Sequence, residues 1–186
     1  MNAYQKFLSS KLASSVPVGF VPDRLPESLF DFEAAIVDWA CRRGRAAIFA
    51  DTGLGKTAMQ LAWADQVACQ TNRPVLILAP LCVAQQTVRE AERMGIDGVR
   101  YARTKALVIG SRVIVTNYEM MDHFNPADFS GIVLDESSIL KSFEGKTRTA
   151  ILSAFSETPY RLSCTATPSP NDYMELGNQA EFIGLM

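Results

Sequence analysis

The sequence predicts an α/β fold with a mainly parallel central sheet flanked by helices. Two observations carry this. Short apolar runs at 46–50, 75–79, 112–116, 131–135 and 160–165 alternate with segments whose apolar positions recur at helical spacing. The runs are also near-continuous rather than alternating, as expected of strands covered on both faces by crossover helices. A third observation fixes an order: the first run passes through a glycine turn directly into a helix.

Taken from the N-terminus, residues 4–14 predict a short helix, and 15–28, with Pro17, Gly19, Pro22 and Pro26, predict an irregular linker. Phe32, Ala35, Ile36 and Trp39 give Asp31–Arg43 one apolar face, with Gly44 as its stop. Ala46–Ala50 is too short for a helix and predicts a buried strand. Lys56–Cys69 predicts a helix, 75–79 a strand between two prolines, and 81–94 a helix capped by Gly95. Strands follow at Arg112–Thr116 and Gly131–Asp135, a helix at Thr147–Phe155, a strand at Tyr160–Thr165 and a helix at Asp172–Ile183. The division expected is an N-terminal helix and linker over 1–28 and one domain over 29–186.

Composition excludes several classes. The chain has 186 residues, enough for one domain with a sizeable core, with 48% hydrophobic and 20% charged residues. No apolar run reaches the ~18 residues of a membrane span, and the N-terminus lacks the apolar centre of a signal peptide. A cytoplasmic protein, in a bacterium or a phage-infected host cell, is the expectation. Cys41, Cys69, Cys82 and Cys164 match no metal spacing and read as free thiols. His123, the single histidine, cannot build a histidine-rich metal site and reads as solvated surface. The net charge of −2 gives no global basic field, and Arg42, Arg43 and Arg45 read as a solvated helix end.

The turn after the first strand carries chemistry. In ADTGLGKT, residues 50–57, strand leads through glycines to a helix N-terminus, where unpaired N–H groups and the positive dipole end meet an anion. Thr52, Gly53, Leu54, Gly55, Lys56 and Thr57 form the expected nucleotide-binding loop. Gly53 and Gly55 let backbone curl round a phosphate, Lys56 reaches the β- and γ-phosphates of ATP, and the Thr57 hydroxyl ligates Mg2+. Ala50 stands where the general motif has its first glycine. The plain alternative is an ordinary glycine turn.

Such a loop needs a carboxylate at the end of a neighbouring buried strand. Asp135 and Glu136 follow the apolar run from Ile132. Asp135 is the expected metal holder, through water. Glu136 is the expected base or orienter for the attacking water. Taken alone, an acidic pair there reads equally as a helix cap.

With these residues the chain resembles the N-terminal RecA-like domain of superfamily-two helicases of the DEAD/DEAH type. Within them it is similar to Swi/Snf-type translocases, in the compact phage and prophage versions. The resemblance runs from Leu29 to the last residue. Its parts are ADTGLGKT at 50–57, LAPLCVAQQ at 78–86, VTNYEMM at 115–121, LDESS at 134–138 and RLSCTATPSPNDYMEL at 161–176. The resemblance implies a RecA-like three-layer sandwich and a nucleic-acid-dependent ATPase, a helicase or double-stranded DNA translocase. It implies backbone contacts to DNA from Pro80, Thr116, Asn117 and Tyr118, and coupling of the ATP site to the domain interface by Thr165, Ala166 and Thr167. It places Glu33 where the family often has an adenine-reading Gln. An ionised carboxylate only accepts hydrogen bonds and repels adenine N7, so Glu33 stands either at the base or as a solvated helix residue.

The resemblance further implies a second RecA-like domain with an arginine finger, expected to be missing from this chain. A finger is worth ~10³–10⁵ in rate, so the isolated chain is expected to bind Mg-ATP and hydrolyse it poorly. Two other classes remain open at this point: a P-loop kinase or other NTPase, which leaves Thr165–Pro168 unexplained, and an inactive nucleotide- or partner-binding fragment.

Overall fold

The computed structural model describes residues 18–104, 110–141 and 145–185. The helix expected over 4–14 lies outside them. Among the described residues the order is α1 (Asp31–Arg43), β1 (Arg45–Phe49), α2 (Lys56–Thr71), β2 (Val75–Ala79), α3 (Leu81–Arg93), β3 (Val99–Tyr101), β4 (Val113–Asn117), β5 (Gly131–Asp135), α4 (Lys146–Ala154), β6 (Tyr160–Thr165) and α5 (Glu175–Phe182). Short 3₁₀ turns occupy Tyr118–His123, Pro126–Asp128 and Ser137–Lys141. No helix among the described residues is long and apolar enough to cross a membrane.

The six described strands form one sheet in the order β1-β6-β5-β2-β4-β3, every neighbouring pair parallel. β3 had no counterpart among the expected strands. It is three residues long, sits at the sheet's end and exposes Arg100, so it carries no apolar run to betray it. The central strands are buried along their length, and successive side chains enter opposite cores. Leu76 and Leu78 enter one core with Ile132, Leu134, Phe155 and Phe182, while Val75, Ile77 and Ala79 enter the other with Met59 and Trp63. Fully burying side chains such as Met59 or Phe155 stabilises the fold by about 2–3 kcal/mol each.

Residues 18–28 have no helix or strand, as expected of 15–28, but they are packed down. The Phe20 N–H donates to the Cys41 carbonyl at 3.0 Å, and a Cβ at Gly19 would collide with that carbonyl. Gln66 accepts from Asp23 N–H at 3.2 Å and donates to the Arg24 carbonyl at 3.0 Å. Cys41 and Cys164 are buried, Cys69 and Cys82 exposed, and all four are free thiols. His123 is exposed, as expected.

Parallel strands put all their carboxyl ends on one edge, where ligands of open α/β sheets bind. Here that edge collects the loop after Phe49, Thr165, Asp135, Pro80 after Ala79, and Tyr118 after Asn117. One strand, β6, separates the glycine loop from the acidic pair. Phe49 pairs with Thr165 on one side of it, and Asp135 with Cys164 on the other.

Candidate active site

The glycine loop opens a cleft of about 380 Å³ lined by Thr52, Gly53, Gly55, Lys56, Thr57 and residues of α3. Gly53 and Gly55 have φ of +85° and +67°, a region that costs any other residue strain. Among the described residues no side chain caps the first turn of α2, which leaves that helix end open to an anion in the cleft. Lys56 Nζ donates to the carbonyls of Ala50 at 2.8 Å and Asp51 at 3.0 Å, folding its charge across the loop. Free amides, glycines in left-handed backbone and a lysine over the turn fit a phosphate chain.

Across β6 the acidic pair is held by hydroxyls and an amide. Gln60 Nε2 donates to Asp135 Oδ1 at 2.8 Å. Gln60 is fully buried, and its Oε1 finds no partner among the described residues. Tyr118 donates its hydroxyl to the Asp135 carbonyl at 2.6 Å. Glu136 Oε1 accepts from Thr165 Oγ1 at 2.7 Å and from Ser138 Oγ at 2.9 Å. Glu136 itself has φ +56°, one of two described non-glycine residues in the left-handed region.

Burial chiefly lifts the Asp135 carboxyl above its ordinary range. The Gln60 bond opposes this, the Glu136 charge adds to it, and the Lys56 charge opposes it weakly. A divalent cation would favour the ionised form, as the chemistry of a metal carboxylate requires. Burial first, then the charges of Asp135 and Glu136, push the Tyr118 hydroxyl well above its usual value and keep it a donor. Among the described residues no group of three or more His, Cys, Asp or Glu is placed to hold a metal ion. A divalent cation that keeps most of its waters would need few protein ligands here, and Asp135 and the Thr57 hydroxyl are the groups that would offer them.

Glu33 departs from the solvated reading. It is 4% exposed. Its Oε2 accepts from the Phe30 N–H at 2.9 Å, fastening the start of α1. Its Oε1 lies where a Cβ on Gly55 would fall, so the carboxylate is packed against the glycine loop. The solvated alternative fails because α1 turns this face toward α2 and the loop.

The other expected residues separate. Pro80 and Tyr118 line a second cleft of about 400 Å³, with Leu81, Glu136, Ser138 and Lys141. Thr116 is fully buried in β4, and its hydroxyl has no partner among the described residues. Asn117 is 3% exposed and engaged by Tyr101 and Glu119. Side chains at 116 and 117 are therefore turned into the protein, because continuous burial of β4 extends to its last residue. Thr165 is buried, and besides donating to Glu136 it accepts from the Thr167 N–H at 3.0 Å. Thr167 is exposed and Ala166 half-buried.

Residues 32–176 match the DEAD/DEAH box helicase family. The chain belongs to this family. It is a helicase-type ATPase domain with the RecA-like fold. Membership implies a nucleotide and a divalent metal as cofactors. The chain is 34% identical over 162 residues to putative protein p41 of Acyrthosiphon pisum secondary endosymbiont phage 1, covering 75% of this chain and 35% of that protein. It is 26% identical over 180 residues to the bovine (Bos taurus) DNA annealing helicase and endonuclease ZRANB3, covering 88% of this chain and 17% of that one. Among solved structures it superposes on the Sulfolobus solfataricus SWI2/SNF2 ATPase core in complex with dsDNA with a TM-score of 0.75 at 20% identity, over 89% of this chain and 38% of that one. The chain thus spans well under half of these relatives' lengths.

Three contacts had no signal in the motifs: Gln60 on Asp135, Ser138 on Glu136, and the Tyr118 hydroxyl on the Asp135 carbonyl. Gln60 sits one helical turn after Lys56, so its facing toward the loop was readable from spacing; its partner was not.

Proposed function

We propose that this chain is the ATP-binding half of a motor that hydrolyses ATP when engaged with double-stranded DNA, translocating along it. The observation that carries this is the convergence of Lys56, Thr57, Asp135, Glu136 and Thr165 on the two sides of β6 at one sheet edge. Lys56 and the α2 amides would hold the phosphates, Thr57 and Asp135 the Mg2+, whose charge would stabilise the developing charge on the transferred phosphate. Glu136 would orient the attacking water and accept its proton. The dsDNA named for the archaeal neighbour and the DNA named for the bovine relative support duplex DNA as partner.

The residues described around the phosphate cleft include Lys56 and no arginine. With only that cation, turnover by residues 1–186 alone should be slow, by ~10³–10⁵ relative to a site completed by an arginine. The same observation favours a second reading, a nucleotide-binding module without turnover of its own.

The test is the ATPase rate with and without duplex DNA, on this chain and on a longer form carrying a second motor domain. Stimulation of the longer form, abolished by Lys56→Ala and by Glu136→Gln, is expected. Absence of stimulation in the longer form would sink the motor reading. Brisk turnover by residues 1–186 would contradict the account of the missing cation.

A further inference from the structure

The start of α1 carries two exposed rings that neither the glycine loop nor the acidic pair employs. Phe30 is 70% exposed and Phe32 47%. Their centroids lie 6.1 Å apart, with planes 8° from parallel. A single exposed Phe is ordinary on a protein surface, but two parallel rings make a flat apolar face.

The fold ties this face to the phosphate loop. Glu33, one residue after Phe32, is buried. Its Oε2 accepts from the Phe30 N–H at 2.9 Å, and its Oε1 fills the space that a Cβ on Gly55 would take. Gly55 is the residue from which α2 starts. The rings therefore sit beside the loop, on its α1 side. The other side is α3, where the cleft wall holds Gln86 and Glu90. Glu90 is paired with Arg93 at 3.0 Å, and its charge opposes a triphosphate. The α1 side offers the flat apolar surface that a nucleobase stacks on.

A base held there is not selected by hydrogen bonds. Glu33 has one oxygen committed to the Phe30 N–H and the other packed on Gly55, and Asp31, between the rings in sequence, is exposed. Both carboxylates can only accept, and adenine, guanine and cytosine each carry an amino group to donate. Stacking on an aromatic ring tolerates every base.

We propose that Phe30 and Phe32 are the platform on which the base of a bound nucleotide stacks, and that the site takes nucleoside triphosphates without selecting adenine. This rests on the reading of the loop as a triphosphate site. It departs from the adenine-reading amide that the family often has at position 33.

Calorimetry on residues 1–186 with Mg2+ and four probes tests it: ATP, GTP, CTP and inorganic tripolyphosphate, which has neither sugar nor base. The three nucleotides should bind within about fivefold of one another, each about tenfold tighter than tripolyphosphate. Phe30→Ala combined with Phe32→Ala should lower all three to the tripolyphosphate affinity. Tripolyphosphate itself should stay within about twofold, which also shows that the variant is folded. A preference for ATP beyond about fivefold over GTP or CTP overturns the proposal, because the base is then read by polar contacts. So does a double variant that keeps the parent's ATP affinity, or one that loses tripolyphosphate in parallel, since the rings would then serve the loop and not the base. Parent protein that binds tripolyphosphate as tightly as ATP overturns this inference alone. Parent protein that binds neither overturns the triphosphate site and this inference with it.

Discussion

Replacing Gly55 by Ala should disable the nucleotide loop through Glu33, a residue on another element. Gly55 has φ +67°, where an alanine costs about 1–2 kcal/mol. Its new Cβ would fall on Glu33 Oε1. Glu33 cannot swing away freely, because its other oxygen holds the Phe30 N–H at the start of α1. Losing that cap costs about 1 kcal/mol more. A total of about 2–3 kcal/mol follows, which at an m-value near 2 kcal/mol/M lowers the urea midpoint by roughly 1–1.5 M. The coupling is the sharper test. In a double-mutant cycle, Glu33→Ala loses the cap but clears the space, so the double variant should be more stable than the added single effects by about 1 kcal/mol. Equilibrium urea unfolding of the four proteins measures this. Additive effects, or a Gly55→Ala protein within 0.5 kcal/mol (about the usual error of such cycles) of its parent, would refute the packing of Glu33 on the loop.

Other outcomes follow from the same contacts. Gln60→Leu leaves Asp135 without its amide donor and should weaken Mg-nucleotide binding by about tenfold in calorimetry, with Gln60→Glu weakening it further by repulsion. Burial raises the Cys41 thiol to about 12 and pushes the Cys164 thiol up as well. Thiols raised in the folded state ionise first when unfolded, so stability is full below the ordinary thiol value near 9 and is lost as pH climbs toward 12. Each contributes up to about 1.4 kcal/mol per pH unit there, and Cys41→Ala should flatten the slope seen in urea midpoints taken across that range. Arg161→Leu strips donors from the carbonyls of Thr158, Phe182 and Ser156, and should cost about 2–4 kcal/mol in the same unfolding assay.

The sheet was legible because its central strands are buried on both faces and so appear as unbroken apolar runs. Their observed limits fall within a residue of the expected ones at Gly131–Asp135 and Tyr160–Thr165. β3 escaped because a three-residue strand at a sheet end shows neither run nor alternation. The helix expected from Asp172 starts at Glu175, since Asp172 Oδ1 instead accepts the Met174 N–H in a turn. At the site, Lys56, Thr57, Asp135 and Glu136 were readable because chemistry dictates those residue types beside glycines and strand ends. Gln60 and Ser138 were not, because an amide or hydroxyl acting through a carboxylate has no required spacing of its own. Of the two readings of Glu33, the solvated one failed for a related reason. A charge near a helix start is usually solvated, and only the missing Cβ of Gly55 makes room for it inside.

The left-handed backbone at Glu136 bears on how a nucleotide-loaded state of this ATPase domain could be trapped. Glycine at this position would release about 1–2 kcal/mol of strain while forfeiting the hydroxyl bonds from Thr165 and Ser138, each worth about 1 kcal/mol. The two nearly cancel, so Glu136→Gly should fold about as well as its parent while lacking the carboxylate altogether. Fold and chemistry pull opposite ways at this single residue. A protein relieved of that conflict is a natural substrate-trapping variant for imaging the loaded, uncleaved state.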